Sequence, residues 1–148
     1  MIKWDSYEHD EGGITTEEPG MLSKMADKRR RKAEALERHL GGMLTVNVFG
    51  KGVPIFAYGS TVMSVREALR AGGLEAQVVQ PVYLEPFPVW ELEKFRGKGG
   101  AVVEMSSTGL FADLLREKAG IDGLKSIAKY DGRPFEPLEL AARLKGAL

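Results

Sequence analysis

The pattern of apolar and polar positions changes character near residue 43. Residues 1 to 14 are polar and glycine-punctuated with scattered apolar groups, the pattern of a loop or linker with little to bury by itself. Thr15 followed three residues later by Glu18 fits a capping box, and Pro19 suits a first helical turn. This predicts a helix from about there to Leu40, stopped by Gly41-Gly42. Leu22, Met25, Ala26, Arg29, Ala33, Leu36 and Leu40 share one side of it, a narrow stripe. Lys28, Arg29, Arg30, Arg31 and Lys32 make its middle strongly basic. Such a helix lies across another surface instead of inside a core. Residues 1–42 are therefore expected to be a linker segment with a long basic helix, and residues 43–148 a separate α/β domain.

From Leu44 the pattern alternates between short β-rich runs and helical faces. Leu44 to Phe49 and Val53 to Tyr58 read as strands parted by Gly50-Lys51-Gly52, the second properly beginning after Pro54. Val62, Val65, Ala68 and Leu69 then give a helical face ending at Gly72-Gly73. A strand over 76–84, a rigid Glu85-Pro86-Phe87-Pro88 connection and a short helix over 89–95 follow. After them come a strand over 101–105 and a helix marked by Leu110, Phe111, Leu114 and Leu115. A last strand over 126–130 and a terminal helix over 138–144 complete the chain. Strands separated by helices need crossover connections, which generate a parallel sheet covered on both faces. The expected fold is a three-layer α/β/α domain with five mostly parallel strands. The run at 44–49 has no crossover helix after it and is expected to pair antiparallel at an edge.

Composition narrows the possibilities. The 148 residues suit one ordinary core. Lysine plus arginine equals aspartate plus glutamate at 21 each, so no global field draws the chain to nucleic acid or an anionic membrane. No apolar run approaches the roughly 20 residues that span a bilayer, and Met1 to Asp5 lack a signal-peptide pattern. A soluble, cytoplasmic protein is expected. Without cysteine, the chain holds no disulfide and no thiolate-ligated zinc or iron-sulfur cluster.

Candidate chemistry is sparse. Glu8-His9-Asp10-Glu11, opened by Ser6-Tyr7 and closed by Gly12-Gly13, crowds together groups that ligate metal or move protons. Neighbours in an extended chain point to alternate sides, however, and His39 in the long helix is the only other histidine. No catalytic residue and no metal ligand is assigned there. In open α/β sheets, ligands sit where helix N-termini meet the carboxyl ends of strands. Gly59-Ser60-Thr61 and Ser106-Ser107-Thr108-Gly109 are weak anion-site candidates of this type, and Asp131-Gly132-Arg133 adds a cation. The competing reading is that Ser60, Thr61 and Thr108 cap their own helices, worth about 1 kcal/mol each. No phosphate-loop or dinucleotide spacing favours the anion reading. In the basic run, Asp27 lies four residues before Arg31 and Glu34 lies four residues from both Arg30 and Arg38. This is the habit of a solvated face and not of a nucleic-acid surface.

Five segments taken in order carry a family resemblance. They are Tyr7 to Thr15, Lys28 to Lys32, Tyr58-Gly59-Ser60-Thr61, Val102-Val103-Glu104 with Thr108-Gly109, and Lys129 to Phe135. Together they resemble the C-terminal part of the alpha subunit of 2-oxoacid:ferredoxin oxidoreductases, especially the 2-oxoglutarate type, over nearly the whole chain. The resemblance implies a fold like the C-terminal domain of transketolase. It also implies a whole enzyme that uses thiamine diphosphate, magnesium and iron-sulfur clusters to convert a 2-oxoacid to its acyl-coenzyme A, with ferredoxin as electron acceptor. In that family the thiamine-facing residues lie in a preceding domain, so no catalytic residue carries over to this chain. Met105-Ser106-Ser107 stand where the family usually has an asparagine-containing turn, and Leu110 where it usually has glutamine.

The expected role is therefore assembly and positioning within such an enzyme, the chain being a fragment or a split subunit and inactive alone. His9, Asp10, Glu11, Arg29, Arg30 and Arg133 are the candidate interdomain or subunit contacts. The alternative is a free-standing module that binds a phosphorylated small molecule such as coenzyme A through the two hydroxyl-rich turns.

Overall fold

The computed structural model describes residues 7–148; the Met1 to Asp5 segment and Ser6 lie outside the described residues. The chain divides into two compact units, Met1–Met43 and Leu44–Leu148.

In the first unit, helix α1 (Pro19–Leu40) begins with proline in its first turn and ends at Gly41. The expected capping box does not form. Glu18 is itself the cap, its carboxylate accepting hydrogen bonds from the Gly20 N–H (2.8 Å) and the Met21 N–H (2.6 Å). A carboxylate one residue ahead of the helix reaches two of the free N–H groups at once, and the helix dipole favours its charge. Of the apolar stripe, Met25 and Leu40 are buried while Leu22 and Leu36 are exposed.

The second unit holds five strands: β1 (Val46–Gly50), β2 (Pro54–Phe56), β3 (Gln77–Pro81), β4 (Ala101–Glu104) and β5 (Lys125–Ala128). They lie in the order β1-β3-β2-β4-β5, with every pairing parallel except β1 with β3. The antiparallel strand is thus at an edge, as its missing crossover helix required. Between the strands run α2 (Thr61–Gly72), α3 (Val89–Leu92) with a 3-10 turn over Glu93–Phe95, and α4 (Leu110–Ala119); α5 (Pro137–Lys145) follows the last strand.

Period-two alternation sends neighbouring side chains to opposite faces. Ile55, Val78, Ala101, Val103 and Ile127 pack with Val65 and Ala68 of α2 and with Leu140 and Leu144 of α5. Phe56, Val79 and Val102 pack on the other face with Leu92, Phe95, Phe111 and Leu115. β4 is buried along its whole length, as expected of a strand covered on both sides. Gly72 and Gly100 are among the glycines set by close approach. A Cβ on Gly72 would stand 2.8 Å from that of Ala141, where α2 meets α5, and one on Gly100 (φ +113°) would stand 2.1 Å from the Pro54 carbonyl oxygen.

Candidate functional site at the carboxyl edge of the sheet

The opening cluster around His9 folds into a small hairpin within the first unit. His9 and Thr15 form an antiparallel bridge, the Thr16 N–H donates to the Glu8 carbonyl (3.0 Å) and the Asp10 N–H donates to the Ile14 carbonyl (2.9 Å). The Asp10 side chain is spent on the turn, accepting from the N–H groups of Gly12 (2.8 Å) and Ile14 (2.9 Å). His9 Nδ1 is hydrogen-bonded to the Asp10 carbonyl at 2.7 Å. The hairpin is tied to α1 by two ion pairs, Glu8 with Arg29 and Glu11 with Lys24 at 2.9 Å. The hydrogen bond from Arg29, and then that from the His9 N–H, hold the Glu8 carboxyl down at about 2. Lys24 lowers Glu11 in the same way.

These partners decide what the cluster can do. A metal site needs several free ligands turned to one point, but Asp10 faces its own backbone and Glu8 and Glu11 face two different cations of α1. Among the described residues no group of three or more histidine, aspartate or glutamate side chains could hold a metal ion. The segment read as a loose linker is, over residues 8–16, a hairpin clamped to the following helix. The sequence signal for this was the spacing of Asp10, Gly12 and Gly13, which is turn chemistry. In the basic run, the pairing seen is Asp27 with Arg30 at 3.1 Å, three residues apart, instead of Asp27 with Arg31.

The three turns at the carboxyl edge of the sheet differ from one another. Ser60 is the N-cap of α2 in helical conformation, and its side chain makes no capping hydrogen bond; Thr61, first in the helix, is buried. Thr108 likewise caps nothing, because α4 starts from Gly109 in left-handed conformation. The α4 N-terminus is filled instead by Glu104, a residue that sequence reasoning passed over. Glu104 ends β4 with no solvent exposure, and its two oxygens accept from the N–H groups of Phe111 (2.8 Å) and Ala112 (3.1 Å). Ser106 Oγ accepts longer bonds from the N–H groups of Thr108, Gly109 and Leu110, at 3.2–3.4 Å. The anion-binding capacity of this helix end is thus taken up by the chain's own carboxylate. The one available signal was a glutamate closing an otherwise apolar run, since a buried carboxylate demands compensating donors.

At the third turn, Arg133 is bound to Asp131 through Nη2 at 2.6 Å and Nε at 3.0 Å, with Lys129 also 3.2 Å from Asp131. The Arg133 guanidinium holds the Asp131 carboxyl well below the usual carboxylate range. The edge also carries an apolar recess. Tyr58, Leu84, Leu110, Phe111 and Leu114 line a cavity of about 110 Å³, with the Tyr58 ring tilted against that of Phe111 at 4.8 Å.

A five-stranded, mostly parallel sheet with one antiparallel edge strand and helices on both faces makes the second unit a three-layer α/β/α domain. Comparison with known proteins carries this further, although no protein-family model matches. A subunit alpha of 2-oxoacid:ferredoxin oxidoreductase 2 from Aeropyrum pernix is 34% identical over 95% of this chain, which covers 23% of that protein. The subunit alpha from Saccharolobus solfataricus is 26% identical over 99% of the chain, covering 24% of it. Among solved structures, a 2-oxoglutarate:ferredoxin oxidoreductase from Magnetococcus marinus with 2-oxoglutarate, coenzyme A and succinyl-CoA bound matches 95% of the chain and 26% of its own. It does so with a TM-score of 0.71 and 28% identity. The chain is similar in sequence to one segment of the alpha subunit of 2-oxoacid:ferredoxin oxidoreductases and shares the fold of the matching part of the solved structure. It spans about a quarter of the length of the relatives it matches.

Proposed function

We propose that the chain is a non-catalytic assembly and positioning domain of the alpha subunit of a thiamine-diphosphate-dependent 2-oxoacid:ferredoxin oxidoreductase, an enzyme forming an acyl-coenzyme A from a 2-oxoacid. The observation that carries this reading is the fate of the polar groups at the carboxyl edge. There, where a fold of this kind binds its ligands, Glu104, Ser106 and Asp131 satisfy the chain's own donors.

The cofactors of the whole enzyme do not fit this chain's residues. Iron-sulfur clusters take thiolate ligands, and the sequence has no cysteine. A diphosphate at the α4 N-terminus would meet the Glu104 carboxylate already seated there. Thiamine diphosphate, magnesium and the clusters are therefore assigned to other domains or subunits, with which ferredoxin and coenzyme A would also engage. His9, Asp10, Glu11, Arg29, Arg30 and Arg133 remain the polar residues proposed for interdomain or subunit contact. The purified chain is expected to give no heat with thiamine diphosphate and magnesium in titration calorimetry, and no decarboxylation of 2-oxoglutarate; turnover by the chain alone would sink the proposal.

A second reading is favoured by Ser60, whose hydroxyl is exposed and makes no bond to its own helix. On this reading the chain is a free-standing module, and the Gly59-Ser60-Thr61 turn takes a phosphate of a ligand such as coenzyme A, with Thr108-Gly109 nearby. Micromolar binding of coenzyme A that disappears in Ser60→Ala plus Thr61→Ala would decide for the module.

A further inference from the structure

We infer that the carboxyl edge of the parallel strands is a docking surface for the rest of an alpha subunit of this family, anchored at the apolar cavity between β2, β3 and α4. The inference rests on the proposed assembly role and names the surface through which that role would act.

Single exposed apolar side chains are ordinary; the arrangement here is not. In the sheet order β3-β2-β4-β5, each parallel strand delivers one to the same edge. Leu84 follows β3, Leu110 follows β4 and Tyr130 follows β5, all exposed, with Leu110 and Tyr130 at 67% and 73%, while the half-buried Tyr58 follows β2. Leu84, Tyr58 and Leu110 share the walls of one cavity of about 110 Å³, the size of a single aliphatic side chain. A pocket of that kind, held between strand ends and a helix, is where interface anchors insert.

The charged groups of this edge choose the occupant. Glu104 is buried against α4, and Asp131 is paired with both Arg133 and Lys129. The cavity walls themselves carry no charged side chain, so they offer apolar contact and nothing to an acidic protein or a phosphate. In the relatives the matching segment is 23–24% of a single polypeptide, so some of its surface faces the remaining three-quarters. The cavity at this edge gives the second unit a concave apolar surface whose chemistry suits that contact.

The test is hydrogen exchange on two proteins. One is the free 148-residue chain. The other is the Aeropyrum pernix alpha subunit with its matching segment replaced by this chain, produced with the other subunits of that enzyme. The amides of residues 58–61, 82–85, 105–110 and 129–131 are expected to exchange at least tenfold more slowly in the chimera, and Leu84→Glu with Leu110→Glu should abolish that difference. Protection confined to α1 or to β1 overturns the docking surface but leaves the assembly role standing. No protection anywhere, or a chimera that fails to form a soluble subunit with this chain's own residues, sinks the assembly role itself. Protection of the same edge in the free chain that rises with concentration and is lost in Leu110→Glu makes the occupant a second copy, which also overturns the inference.

Discussion

The two units of this chain are each held together by a different kind of force. In the first, Met25 and Leu40 are the only buried apolar side chains among the described residues, and the hairpin meets its helix through Glu8 with Arg29 and Glu11 with Lys24. In the second, two apolar layers close on the faces of one sheet, and the buried Glu104 carboxyl that enters it is met by two backbone N–H donors. Ion pairs at a surface contribute little and are screened by salt, whereas each apolar side chain withdrawn into a core contributes about 1.5–3 kcal/mol. The contrast teaches that order in the first unit is electrostatic and local, while order in the second is cooperative.

The largest way to break this contrast is inside the core. Leu115→Ala, at a site with no exposure between α4 and the sheet, is expected to cost about 2–5 kcal/mol, read as a lower midpoint in denaturant. The same measurement on Leu36→Ala, a 40% exposed residue of α1, should show little change. If the two substitutions cost the same, the distinction between the units fails.

Glu104 gives the next test, because it places a carboxyl group inside the cooperative unit. Glu104→Ala leaves the Phe111 and Ala112 N–H groups without their acceptors and is expected to cost about 1–3 kcal/mol, the penalty of a buried unmatched donor. Glu104→Gln keeps one acceptor oxygen and should lose less. A neutral Ala substitution would mean that water replaces the carboxylate. Gly100→Ala probes the same unit through its backbone, since the new Cβ would meet the Pro54 carbonyl at 2.1 Å with φ at +113°. A destabilisation of about 2 kcal/mol or more is expected, with the β2 and β4 amides losing most of their exchange protection.

The smallest effect belongs to the ionic unit and is best read as a titration. The Glu8 carboxyl, ordinarily near 4.5, is held at about 2 by Arg29. A carboxylate depressed in the folded state contributes stability that is present above 4.5 and is lost as pH falls toward 2. Carbon-detected NMR should place its midpoint near 2 at low salt, and near its ordinary value in Arg29→Met. The hairpin should loosen over the same pH window while the sheet amides do not respond. A midpoint that is unmoved by Arg29→Met would remove the pair as the clamp.

The elements of the second unit were legible because their signals are local. Val62, Val65, Ala68 and Leu69 mark a helix by period alone, and the missing crossover after residues 44–49 predicted the antiparallel edge strand. Helix caps were read less well. Thr15 with Glu18 was a sound motif, yet a two-bond cap by Glu18 alone prevailed. Ser60 and Thr108 were reasonable caps by type, yet neither side chain caps its helix. Capping depends on the angle at which a strand hands over to a helix, and residue type does not report that angle.

Sequence alone thus determined the layer order, the parallel sheet with its antiparallel edge and the absence of thiolate chemistry, because periodicity, crossover handedness and composition are properties of the chain as written. Only the tertiary structure decided that Glu104 occupies the α4 N-terminus, that the His9 segment is clamped to α1 and that the carboxyl edge presents an apolar cavity. Each of these joins groups far apart along the chain, Glu8 with Arg29 or Leu84 with Leu110. Such meetings depend on how elements pack in space, and no pattern of adjacent residues encodes them.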